Sequence, residues 1–236
     1  MRAGYDESPV NPVPAVIWLL ALPILASELY FGLGRLGFLS GGSGAGQAAR
    51  QIMVERTAFA PEFLIRAWDR HSVAGGQLWR MLSYPFVHYS MTHALFVLVF
   101  LLALGNMVAL AMRPWAVAVV FASAAVGGAA VYAAIAAALP QMRFDPLVGG
   151  YPAVYGLLGA FTFLLWARLG EEHANQFRAF TLIGFLLAFQ LIFGVLFGGA
   201  GKNWIAEVAG FVIGFLMSFV LVPGGLARLR GRIRHR

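Results

Sequence analysis

Apolar stretches close to 20 residues long recur along this chain, and no other feature narrows its fold so far. A helix rises ~1.5 Å per residue and the hydrocarbon core of a bilayer is ~30 Å thick, so each stretch can cross a membrane. The composition agrees. Of 236 residues, 60% are hydrophobic and 11% charged, whereas a soluble domain carries about 25% charged residues. Spans are expected at residues 13–33, 86–112, 114–139, 146–168, 179–197 and 204–222. The expected fold is all-α: a single domain over 1–236, with a six-helix membrane core at 13–222. Residues 1–12 form a cytoplasmic segment, 34–85 a long outer loop 1, and 223–236 a basic cytoplasmic tail. After a Gly/Ser run at 41–46, loop 1 should hold two short helices, at 47–59 and 62–70. The second carries Phe63, Ile65 and Trp68 among charges, as a segment in the headgroup layer would.

The net charge of +7 does not point to nucleic acid, because five arginines crowd the last nine residues: Arg228, Arg230, Arg232, Arg234 and Arg236. A basic tail directly after an apolar helix reads as a cytoplasmic flank beside anionic lipid. The chain has no cysteine, so neither a disulfide framework nor thiol chemistry is available. Arginine placement sets the direction of the spans. With both termini cytoplasmic, that side holds Arg2, Arg113, Arg168, Arg178 and the tail, while the short outer loops hold Arg143 and Lys202. Loop 1 carries six arginines and sits outside as a long-loop exception. The plan suits the inner membrane of a bacterium. Depth follows from direction. Glu28, His88, His93, Tyr151 and Glu207 all fall in the outer third of the bilayer. Polar groups at such depth face a bundle interior or a wet cavity, so one polar pocket near the outer face is expected.

Small residues repeat at spacings of three and four on two spans. Span four has Gly149, Ala153, Gly156 and Ala160; span six has Ala206, Gly210 and Gly214. Each set lies on one helical face. Lipid gives helices no hydrophobic reason to associate, so close backbone approach supplies the attraction. The two spans are expected to touch, which brings Tyr151 near Glu207.

Several motifs now fall in order along the chain. They are Trp79-Arg80 in loop 1, His88 and His93 on span two, Ala153-Val154-Tyr155-Gly156 with Gly159 on span four, and Ala206 with Gly210 and Gly214 on span six. In this order and on these spans the chain resembles the rhomboid family of intramembrane serine proteases over roughly residues 14–222. Active members use a serine at the start of span four as nucleophile and a histidine on span six as base. A histidine and an asparagine on span two, with backbone amides, stabilise the oxyanion. Carried onto this chain, the nucleophile position is Tyr151 and the base position Glu207. The oxyanion histidine is His88 or His93, and the asparagine position is Val97. The residue after the nucleophile is Pro152.

Each departure removes a piece of the chemistry. Serine attack needs a hydroxyl whose proton an adjacent imidazole takes. No serine stands at 146–168, and a phenol of pKa about 10 is a poor acyl acceptor. A glutamate does not shuttle protons near neutral pH as imidazole does. Valine donates no hydrogen bond, and loss of one oxyanion donor alone costs about 100- to 1000-fold. Proline lacks an N–H and restrains the residue before it. The resemblance therefore implies an inactive, rhomboid-like pseudoprotease that binds transmembrane segments of client membrane proteins, with Gly194, Gly198, Gly199 and Gly201 of span five at a lateral gate. A serine endopeptidase working through Ser90 or Thr162 is the alternative. A metal or proton site built from His88, His93, Glu207 and Glu28 is the second, although a spacing of five turns the two histidines to different faces of one helix. No cofactor is implied.

Overall fold

The structure, a computed structural model, describes residues 13–38, 42–71, 77–187 and 202–222. These form an all-α protein with no named strand among them. Helix α1 is Ala15–Arg35, and the short helices α2 (Ala45–Thr57), α3 (Pro61–Asp69) and α4 (Arg80–Ser83) belong to loop 1. Next come α5 (Met91–Ala111), α6 (Pro114–Ala138) and α7 (Tyr151–Glu171). Helix α8 is described over Gln176–Leu187, and α9 is Trp204–Leu221. Helices α1, α5, α6, α7 and α9 are each long and apolar enough to cross a bilayer, which makes this an integral membrane protein. The span expected at 179–197 is described only as far as residue 187, and the gate glycines Gly194, Gly198, Gly199 and Gly201 lie outside the described residues. So do the N-terminal segment at 1–12 and the basic tail from residue 223.

Helix starts follow local chemistry. Pro61, Pro114 and Pro152 each stand in a first turn, where a missing N–H is harmless. Ser90 caps α5: its hydroxyl accepts from the His93 N–H at 3.2 Å. The second span thus begins five residues later than residue 86. Tyr84–Phe86 is a 3-10 turn around Pro85, and Val87 is extended. Likewise α7 starts at Tyr151 rather than 146, because Leu147 pairs with Phe59 of loop 1 through two backbone hydrogen bonds of 3.1 and 2.8 Å.

Helix α7 lies at the centre of the bundle, packed on α9, α6, α5 and the start of α8. Its residues Pro152–Ala160 are all buried. Its seam with α9 is backbone on backbone. A Cβ placed on Gly210 would overlap the Pro152 carbonyl, one on Gly214 the Gly156 carbonyl, and one on Gly159 the Phe211 carbonyl. On the third side, a Cβ at Gly128 of α6 would stand 2.8 Å from the Ala206 carbonyl oxygen of α9. The small-residue stripes let α6, α7 and α9 meet without side chains between them. Helix α1 packs against α2, α5 and α6, and Gly46 of α2 rests directly on the backbone of Phe31 and Arg35.

Loop 1 is pinned to one end of this core. The Arg80 guanidinium donates to the carbonyls of Glu55 (2.7 Å) and Ala58 (3.0 Å), closing the end of α2. It also lies 4.9 Å from the Phe63 ring and 5.5 Å from the Trp79 ring, while Trp79 itself is half exposed. Phe63 packs on the core, and Trp68 points away with 78% of its surface exposed. Glu62 bridges Arg66 (2.7 Å) and Arg143 (2.9 Å), tying α3 to the α6–α7 connection. These two arginines hold its carboxyl below the usual carboxylate range, the Arg66 hydrogen bond being the larger influence.

Candidate functional site

The site forms where the Val148–Gly150 turn delivers the chain into α7. Gly149 has φ +94°, a left-handed value that suits glycine. A Cβ there would overlap the His93 ring and stand 3.2 Å from His88 Cδ2. Two N–H groups fix the turn. That of Gly149 donates to the Tyr84 carbonyl at 2.9 Å, and that of Gly150 to His88 Nε2 at 3.2 Å. An Nε2 that accepts leaves the ring proton of neutral His88 on Nδ1. The Tyr84 hydroxyl in turn donates to the Ala125 carbonyl at 3.0 Å, fastening the 3-10 turn to α6.

His88 is fully buried and stands before α5, not on it. Residues five apart on one helix would face different ways. Because Ser90 starts the helix between them, the two imidazoles meet instead, with ring centroids 4.9 Å apart in a T-shape. This corrects the expectation that they diverge. His93 carries Tyr151 on its other side, stacked at 4.7 Å with the rings 24° from parallel. Tyr155, one turn on, meets Tyr151 edge-on at 6.4 Å. Val97 is fully buried, and a Cβ on Gly150 would come within 2.6 Å of its Cγ1. An apolar methyl of α5 thus faces the Gly150 turn.

Tyr151 and Glu207 line one small cavity, together with Tyr84, His93, Pro152 and Asn203. With a volume of about 30 Å³ it has room for water. Glu207 stands in the first turn of α9 and is 4% exposed. Glu207, Tyr151 and His93 therefore border one small, partly open space, and the Tyr151 ring lies stacked beside the imidazole.

Glu28 does not join them. It forms a two-pronged ion pair with Arg50 of α2, at 2.6 and 2.7 Å. This corrects the expectation that Glu28 faces the same pocket: a carboxylate at this depth takes the guanidinium that loop 1 supplies. Among the described residues no group of three or more His, Asp or Glu side chains gathers as a metal site would require. Ser90 is occupied as the α5 cap, and Thr162 lies fully buried within α7. Sequence reasoning did not single out Arg50, Tyr84 or Asn203. Asn203, like Ser90, carried a local signal, a cap-type residue directly before an apolar run.

Residues 75–224 match the rhomboid domain family. YdcA of Bacillus subtilis (strain 168), which is named for the rhomboid proteases, is 29% identical over 161 residues, covering 64% of this chain and 70% of its own length. RHOMBOID-like protein 4 of Arabidopsis thaliana is 28% identical over 153 residues, covering 64% of this chain and 36% of its own.

Proposed function

The chain belongs to the rhomboid family, and from that premise we propose that it is a non-catalytic member that binds transmembrane segments of client membrane proteins. One observation carries the reading. At the nucleophile position stands a tyrosine, its ring stacked at 4.7 Å on the imidazole that would otherwise face an oxyanion. A tetrahedral intermediate needs that space, and it needs donors aimed into it. Here Val97 presents a methyl group, and His88 Nε2 is already committed as acceptor to the Gly150 N–H. At the base position Glu207 offers a carboxylate. Without a nucleophile and base, what remains useful is the bundle itself, whose outer end holds a polar pocket beside lipid. In this reading the protein sits in the cytoplasmic membrane of a bacterium with both termini inside.

Photocrosslinking tests it. A photoreactive amino acid replacing Tyr151 should give adducts in native membranes that map to transmembrane segments of other proteins. Those adducts should be lost when the same residue is placed on α2, away from the pocket. Purified protein in liposomes should leave transmembrane peptides intact. Cleavage of such peptides that disappears on Tyr151→Phe would overturn the non-catalytic reading. An absence of membrane-protein adducts would overturn client binding.

A further inference from the structure

Arg50 is the most deeply buried charged side chain in loop 1, with 3% of its surface exposed. Its partners explain how a cation is held there. Nη1 and Nη2 grip the two oxygens of Glu28 on α1, and the guanidinium carbon lies 4.5 Å from the centre of the Phe31 ring. A two-pronged ion pair already satisfies the charge. Nη1 nevertheless makes one more bond, 2.9 Å to the carbonyl oxygen of His88. His88 is the residue whose ring accepts from Gly150, the residue before Tyr151. A continuous series of polar contacts therefore runs from α1 through loop 1 to the residue just before α7. Its members are Glu28, Arg50, the His88 backbone, the His88 ring and the Gly150 N–H.

We infer that Arg50 is a positioning residue through which loop 1 sets the conformation of the Gly149–Tyr151 turn. His88 lies in a short non-helical segment between a 3-10 turn and α5, so no helix ladder fixes its backbone. The described bond holding its carbonyl is the one from Arg50. If that carbonyl rotates, the imidazole on the same residue turns with it, and Nε2 leaves the Gly150 N–H. Of the two N–H bonds that hold the turn, the one from Gly149 to Tyr84 then remains, and Tyr84 is anchored separately on α6. Movement of α2 on the outer face would reach Tyr151 by this route. The inference concerns how the turn is held, and it stands whether or not client segments bind.

The test uses the full chain in lipid nanodiscs with 15N-labelled glycine and histidine. Arg50→Met alone would leave the Glu28 carboxylate buried without its partner, which threatens the fold. The paired variant Glu28→Met with Arg50→Met removes both charges while keeping similar volume, and such replacements are often neutral for stability. Expected in the paired variant is amide hydrogen exchange at Gly150 at least 10-fold faster, with Gly149 changed less than 3-fold. The His88 Nε2 resonance should also lose its hydrogen-bonded shift. His88→Ala should accelerate Gly150 to the same extent, and combining it with the paired variant should add nothing further. Unchanged Gly150 exchange in a folded paired variant would overturn the inference. So would a uniform acceleration of all glycine amides, which is the mark of a merely structural ion pair.

Discussion

Gly214→Ala should force apart two helices that now touch backbone to backbone. A methyl at this position overlaps the Gly156 carbonyl oxygen and stands 2.5 Å from the Gly156 carbonyl carbon and 2.7 Å from its Cα. None of these atoms can rotate away, because all belong to α7. Restoring ordinary contact requires α7 and α9 to separate by about 1 Å, and a gap of that size forfeits about a quarter to a half of the dispersion energy across the seam. Lipid offers no hydrophobic compensation. Overpacking of this kind costs about 1–3 kcal/mol, which corresponds to about 5- to 150-fold in the folding equilibrium. Gly32→Ala is the control. Gly32 lies within α1, and a methyl added there would have no neighbour within 4 Å, so it meets no clash. Both substitutions gain the same helix-propensity increment of about 1 kcal/mol, and their difference isolates the clash. Denaturant unfolding in one detergent, followed by tryptophan fluorescence, measures it. Equal stability of the two variants would refute the reading of α7–α9 as a backbone seam.

Three further outcomes are expected. Tyr151→Ser with Glu207→His should restore at most weak proteolysis of a transmembrane substrate, and adding Val97→Asn should raise it by about 100- to 1000-fold through the recovered oxyanion donor; full activity in the double variant would show that Val97 does not matter. Glu62, held low by Arg66 and then Arg143, contributes stability that is present above its ordinary pKa and lost as pH falls through its depressed folded value. Melting curves should therefore show wild-type stability declining below about pH 4 more steeply than that of Glu62→Gln, and identical slopes would count against the linkage. Arg80→Ala leaves the Glu55 and Ala58 carbonyls without their charged donor and should cost about 1–3 kcal/mol, read as faster proteolytic nicking of loop 1, with Arg80→Lys intermediate.

Much of the architecture is legible because it depends on one-dimensional patterns. Apolar length gives α1, α5, α6, α7 and α9, and the glycine spacing on α7 and α9 puts small residues on the faces that meet. What escaped depends on where helices begin. A span read as 86–112 keeps His88 and His93 on one rod; the Ser90 cap breaks the rod and folds the two rings together. The Glu28–Arg50 pair escaped for a different reason. The partners are 22 residues apart on separate elements, and no periodicity in sequence announces a contact across a loop. Trp79-Arg80 was visible as a motif, yet its work, closing the end of α2, appears only when the carbonyls it reaches are in place.

Because Pro152, Gly156, Gly210 and Gly214 meet through main-chain atoms, the architecture is indifferent to which side chains project beside them. Positions 151 and 207 can exchange one chemistry for another while the helices keep their distance. In a frame joined in this way, the spacing of the helices and the chemistry at the mouth of the seam are set by different atoms.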